Sequence, residues 1–161
     1  MKSAIEWFVE FFNKQGWSYR PDGDKPVIHT GFNGNNGIWQ CVAIAGPQDS
    51  YLMFLSLLPC KAVSGRRTAC VELITRINYG LTQGCFEMDF DDGEIRFRTS
   101  VPLASVEVSP ELVEHLVFSN LCTVDRFFGA IMNVLYAEDS PKTALKPATA
   151  RKPSTSRFEL N

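Results

Sequence analysis

Three carboxylates, Glu87, Asp89 and Asp91, stand within a few residues of Arg96 and Arg98 in the stretch 72–101, ELITRINYGLTQGCFEMDFDDGEIRFRTSV. Acids at this density could act as a general acid–base pair or as the ligands of a calcium loop. Neither chemistry fits the pattern. A general acid needs a carboxyl pushed upward by burial or by a like charge, and here each acid has a cation in reach. The acids before Gly93 also depart from the D-x-[DN]-x-[DN]-G arrangement of a calcium loop. Asp92-Gly93 is instead a strong signal for a two-residue hairpin turn. That turn sets Asp89 opposite Arg96 and Glu87 opposite Arg98, while Phe86, Met88 and Phe90 share the other face with Ile95 and Phe97. The charged cluster then reads as exposed cross-strand ion pairs.

The remaining chemistry is sparse. Five cysteines (41, 60, 70, 85 and 122) are widely spaced, form no CxxC pair and have only His29 and His115 as companions. This argues against a zinc site and against a disulfide framework, and for reduced thiols in the cytoplasm. Neither G-x-S-x-G nor H-E-x-x-H occurs. No catalytic, cofactor-binding or metal residue is therefore assigned, and the chain is read as a non-enzyme. The alternative is a small enzyme or redox-active protein with a pocket Cys or His, for which Cys41, Cys85 and His29 are the first candidates. The glycine-rich NGNNG at 33–37 lacks the Lys and Ser/Thr of a phosphate loop and feeds a strand, so it reads as a turn. Asn78-Tyr79 reads as a helix end satisfied by side-chain hydrogen bonds, in preference to a recognition site.

A length of 161 residues favours one domain. A first helix over 3–14 has Ile5, Phe8 and Phe12 at helical spacing and Gly16 as its stop. Trp7, Val9 and Phe11 widen its apolar surface almost all round, so either the domain wraps it completely or a second chain helps to cover it. Trp7, Phe8, Phe11 and Phe12 are accordingly the candidate partner-binding residues. Strands PVIHTGF, IWQCVAIAG and YLMFLSLLP follow. A second helix from about Ser64 turns Cys70, Ile74, Ile77 and Leu81 inward, and the charged hairpin comes next. Ser109-Pro110 opens a third helix, with a break near Cys122-Thr123 and Phe127, Phe128, Ile131, Leu135 and Tyr136 facing inward. This is an α+β order, α-β-β-β-α-β-β-α, with an antiparallel sheet of about five strands.

Past Tyr136 the composition turns to Pro, Thr, Ala and Ser. The domain is therefore set at 1–138, and 139–161 is expected to be a disordered basic tail carrying Lys142, Lys146, Arg151, Lys152 and Arg157. A formal charge of −2 gives no pull toward nucleic acid or an anionic membrane. No run reaches the ~20 apolar residues of a membrane span, and Glu6 and Glu10 interrupt the N-terminal apolar stretch, which speaks against a secretory signal.

The element order, with GIWQC, ELITRINYGLTQGCFEMDFDDGEIRFR and SVPLASVEVSPELV, resembles the YbjN-like family of small bacterial proteins over about residues 3–137. The family's helix ending in an Asn-Tyr-like pair, its "G-x-F-E-x-D" strand and its "D-G-x-I-x-x-R" return strand correspond to Asn78, Tyr79, Gly84, Phe86, Glu87, Asp89, Asp92, Gly93, Ile95 and Arg98. The resemblance implies a fold like that of type III secretion chaperones, a compact α+β sandwich that commonly dimerises. It implies no cofactor and no established activity, only a regulatory or chaperone-like role. The expectation is a homodimer in the cytoplasm that binds another, unidentified protein.

Overall fold

The computed structural model describes residues 2–150. Helix α1 spans Ala4–Gln15. Its first turn is closed by Glu6, whose Oε2 accepts from the Ser3 amide at 2.6 Å. Gly16 at φ 70° ends it, which is the left-handed stop expected there. The strands are β1 (Tyr19–Pro21), β2 (Val27–Asn33), β3 (Ile38–Ala45), β4 (Tyr51–Lys61), β5 (Cys85–Met88) and β6 (Glu94–Pro102). They form one antiparallel sheet in the order β1-β2-β3-β4-β6-β5. Helix α2 (Arg67–Tyr79) lies between β4 and β5 in the chain, and α3 (Pro110–Tyr136) and α4 (Pro141–Ala150) follow β6. The α+β class and the antiparallel sheet are as expected, and the element order holds with one strand added near the start and one helix, α4, added after α3. The extra strand, β1, has three residues and no alternation long enough to mark it.

The helices among the described residues all lie on one side of the sheet. Phe8 of α1 meets Phe54 at a tilt with ring centroids 6.2 Å apart, Phe128 of α3 stacks over Trp39 at 5.8 Å, and Phe127 of α3 stands edge-on to Phe86 at 6.3 Å. Trp39, Phe54, Phe97, Ile95, Leu116 and Ile131 are buried between the two layers, each worth roughly 1.5–3 kcal/mol of apolar transfer. Through this layer runs a buried polar chain. Trp39 Nε1 donates to Ser56 Oγ at 2.9 Å, Ser56 Oγ donates to Asn120 Oδ1 at 2.6 Å, and Asn120 Nδ2 donates to the Phe54 and Phe97 carbonyls at 2.9 and 3.2 Å. It ties β3, β4 and β6 to the middle of α3, and so fixes the register of helix on sheet.

Three expectations are corrected. Helix α3 runs unbroken through Cys122-Thr123, because Thr123 turns its hydroxyl onto the Ser119 carbonyl at 2.7 Å and stays within the helix. Tyr136 is 64% exposed and faces outward, whereas Phe127, Phe128, Ile131 and Leu135 are buried. The segment read as disordered carries α4. Ser140 caps it through the Thr143 amide at 3.2 Å, and Pro141, Ala144 and Ala148 are buried against its neighbours. Lys142 and Lys146 sit on that helix; Arg151, Lys152 and Arg157 lie outside the described residues.

Candidate partner-binding face

The four aromatic residues singled out on α1 separate in the structure. Phe8 and Phe12 are fully buried and Phe11 nearly so, in the chain's own core. Phe11 meets Phe118 of α3 at 5.7 Å, and Phe12 stacks on Trp17 at 5.8 Å. The apolar surplus read from the sequence is thus covered largely from within, by α3 and by the turn after α1. Trp7 alone of the four is half-buried, with Lys2 Nζ 3.3 Å from its ring centroid.

The charged hairpin keeps the expected faces and shifts its register. Glu87 pairs with Arg96, Met88 with Ile95 and Phe86 with Phe97. The turn is longer than two residues: the Asp89 amide donates to the Glu94 carbonyl at 2.9 Å and the Gly93 amide to the Asp89 carbonyl at 2.8 Å. Gly93 ends this turn at φ 79°, with its backbone so close to the Ala62 carbonyl that a Cβ would overlap it. A shift of two residues leaves every side chain on its face. It changes the partners, however. Glu87 takes both arginines, Arg96 at 2.8 Å and Arg98 at 2.6 Å. Asp89 turns to the Asp91 amide at 2.8 Å, and Phe90, placed in the core from the sequence, is 63% exposed at the turn. Partial burial pushes the Glu87 carboxyl upward, but hydrogen bonds from Arg98 and then Arg96 outweigh it and hold it below its ordinary value. The pairing therefore stabilises the fold fully above about pH 4.5, and that contribution is lost as the pH falls through the lowered value. Glu87→Gln is expected to cost no more than about 1 kcal/mol at low salt and less in molar salt. Denaturant midpoints at two ionic strengths check this; a loss that is large and indifferent to salt would contradict a surface pairing.

Asn78 resolves as a structural residue. Its Oδ1 accepts from the Phe86 amide at 2.9 Å and its Nδ2 donates to the Phe86 carbonyl at 3.0 Å. Tyr79 beside it is 96% exposed. The NGNNG loop is a turn, as read, and is held by buried Asp125. Asp125 Oδ1 accepts from the Asn36 amide at 2.8 Å, and the Asn36 side chain donates to the Asp125 carbonyl at 2.9 Å.

The candidate thiol and imidazole groups are kept apart. His29 and Cys41 alternate onto opposite faces of the sheet, and Cys85 lies at its far edge, beyond β3, β4 and β6. Burial pushes the Cys41 and Cys60 thiols up to about 12 and Cys70 to about 11. Cys85 and Cys122 are raised too, both chiefly by burial. Thiols shifted in this direction keep their protons at neutral pH and are poor nucleophiles.

The feature missed from the sequence is the other side of the sheet. One cross-strand row there reads Arg20, His29, Val42, Leu55, Arg98 and Cys85; the next has Gly31, Gln40, Leu57, Arg96 and Glu87; a third has Val27, Ile44, Met53 and Ser100. Val27, Val42, Ile44, Met53, Leu55 and Leu57 thus form an aliphatic patch across β2, β3 and β4. None of the six belongs to the cluster packed between sheet and helices. A groove of about 470 Å³ beside them is lined by Tyr51, Met53, Arg96, Arg98 and Ser100. The sequence did carry a signal: VAIA in β3 is continuously apolar and LMFLSLL in β4 is broken only by Ser56, as in strands covered on both faces.

One helical layer on one side of a six-stranded antiparallel sheet, with a row of aliphatic side chains on the other, defines an α+β domain. Residues 5–132 match the family model YbjN, described as "Putative bacterial sensory transduction regulator". The chain belongs to the YbjN family. Among solved structures it is similar to that of YbjN, "a putative transcription regulator from E. coli", with 12% identity, a TM-score of 0.57, and 84% of this chain and 91% of that one covered. It is also similar to a chain in the structure of the HopA1-SchA chaperone-effector complex, with 10% identity, a TM-score of 0.49, and 75% and 92% covered. No curated protein matches the chain. Among the described residues, no helix is long and apolar enough to cross a membrane.

Proposed function

We propose that this chain is a non-enzymatic protein-binding module of the cytoplasm, working as a homodimer, that takes its partner on the uncovered sheet face. The observation that carries the reading is the aliphatic patch of Val27, Val42, Ile44, Met53, Leu55 and Leu57, which no helix among the described residues packs on. Val42 and Leu55 at its centre are buried, while Val27, Ile44, Met53 and Leu57 around them stay partly open to solvent, and an apolar face left open in this way marks an interaction site. The sheet edges support docking on the face over strand addition. Edge strand β1 has three residues and ends in Pro21, and edge strand β5 has four, with the outward groups of Phe86 already bonded to Asn78. Membership of a family described as regulators agrees with a binding role. Trp7, half-buried on α1, is the further contact proposed, while Phe8, Phe11 and Phe12 hold that helix in place.

Ile44→Glu tests the face, since Ile44 lies on it and is only partly buried. The variant is expected to keep the far-UV circular dichroism of the parent and to recover at most a tenth of any specific partner captured from native lysate. Full recovery would refute docking on the face, and equal recovery by Trp7→Glu would remove α1 from the contact surface. Sedimentation is expected to show a dimer at micromolar concentration; a monomer there overturns the homodimer.

A further inference from the structure

We infer that α4 is an exchangeable arm, able to leave the furrow between α2 and α3 of its own chain and fill the same furrow in a second copy. Several observations converge on this helix. It lies beyond residue 132, where the family match ends, so it is added to a domain already complete in outline. It packs on α2 and α3. The residues it buries are small, Pro141, Ala144 and Ala148, with Leu145 half-buried beside them. Its interior holds Pro147, which gives up one helical hydrogen bond. Near its C-terminal end, Arg126 Nε donates to the Ala148 carbonyl at 3.0 Å.

The connection 137–140 supplies the hinge. Glu138 sits at φ 59°, a left-handed conformation that a side chain with a Cβ adopts at a cost. Opening relieves that strain in both copies. Ser140 precedes Pro141, which disfavours helical backbone at Ser140, so α3 and α4 do not fuse when the hinge opens. The closed hinge is held by Arg66, whose guanidinium donates to the Val134 carbonyl at 2.8 Å through Nε and to the Asp139 carbonyl at 3.4 Å through Nη2. Short strained hinges favour exchange, and exchange reuses an interface that is already complementary. The occupant is therefore the α4 of a second copy.

The test uses the full chain with a photo-cross-linking residue in place of Leu145, in three backgrounds. Glu138→Pro cannot adopt φ 59° and is expected to raise the dimer fraction in sedimentation several-fold, with an inter-chain photo-adduct in the dimer. Glu138→Gly removes the strain of the closed hinge and is expected to lower both several-fold. Arg66→Ala loosens the hinge without a proline and is expected to shift them in the same direction as Glu138→Pro, which keeps the test decisive if the proline variant does not fold. A dimer fraction equal in all three, or photo-adducts confined within single chains, would overturn the exchange. Ile44→Glu, which probes the sheet face, is expected to leave the inter-chain adduct unchanged, so docking on the face and exchange of α4 fail separately.

Discussion

Phe97→Ala is expected to lower the unfolding free energy by about 3–5 kcal/mol. Phe97 is fully buried, its ring is 4.6 Å from that of Phe86, and Gly84 packs so closely on it that a Cβ there would crowd the ring. Backbone on one side and a helix on the other leave little room for collapse, so the lost ring becomes a cavity. Denaturant unfolding should show an unchanged slope and a lower midpoint, well beyond the small, salt-sensitive loss expected for Glu87→Gln. If the two substitutions proved equally damaging, Glu87 would have to be a core residue and the hairpin faces described here would be wrong.

The second large effect is expected at Asn120. Its removal by Asn120→Ala strips the acceptor of Ser56 and the side-chain donor to the Phe54 and Phe97 carbonyls. At about 1–3 kcal/mol for each buried group left wanting, with two or so affected, the loss is roughly 2–6 kcal/mol. Asn120→Asp separates this hydrogen-bonding role from simple volume. It keeps the shape but aims a carboxylate at two carbonyl oxygens, so burial and repulsion raise its folded-state pKa. The variant should be least stable at neutral pH and recover as the pH falls and the new carboxyl gains a proton to donate. An Asn120→Asp protein as stable as the parent at neutral pH would show that the chain of hydrogen bonds contributes nothing.

Periodicity was sufficient where one face of an element is buried. The helical face Cys70, Ile74 and Ile77 and the strand face Phe86, Ile95 and Phe97 were legible because apolar spacing reports which side meets the core. Register was not legible, because Asp92-Gly93 gives the same local signal whether it forms a two-residue turn or closes a longer one. The alternation survived only because the shift was even. Helix α4 was hidden by its composition: it packs with alanines and a proline, which carry too little apolar contrast to mark a face. On α1 the sequence showed an excess of aromatic surface but could not show that Phe118, more than a hundred residues later, would cover Phe11. The bare sheet face was hidden in the opposite way. Val42, Ile44, Leu55 and Leu57 look like core in a linear reading, and only the placement of every described helix on the other side shows that they lie on the opposite face, with Ile44 and Leu57 partly open to solvent.

The packing of Phe11 against Phe118 also sets a timetable for the chain during its synthesis. The first helix leaves the ribosome carrying Trp7, Phe8, Phe11 and Phe12, yet the α3 side chains that cover it are made about a hundred residues later. At the roughly 5–20 residues per second of translation, that is on the order of 5–20 s in which a nascent aromatic segment waits for its cover. Slowing translation of codons 20–110 should therefore lengthen the association of the nascent chain with holdase chaperones, whereas slowing it after codon 136 should not.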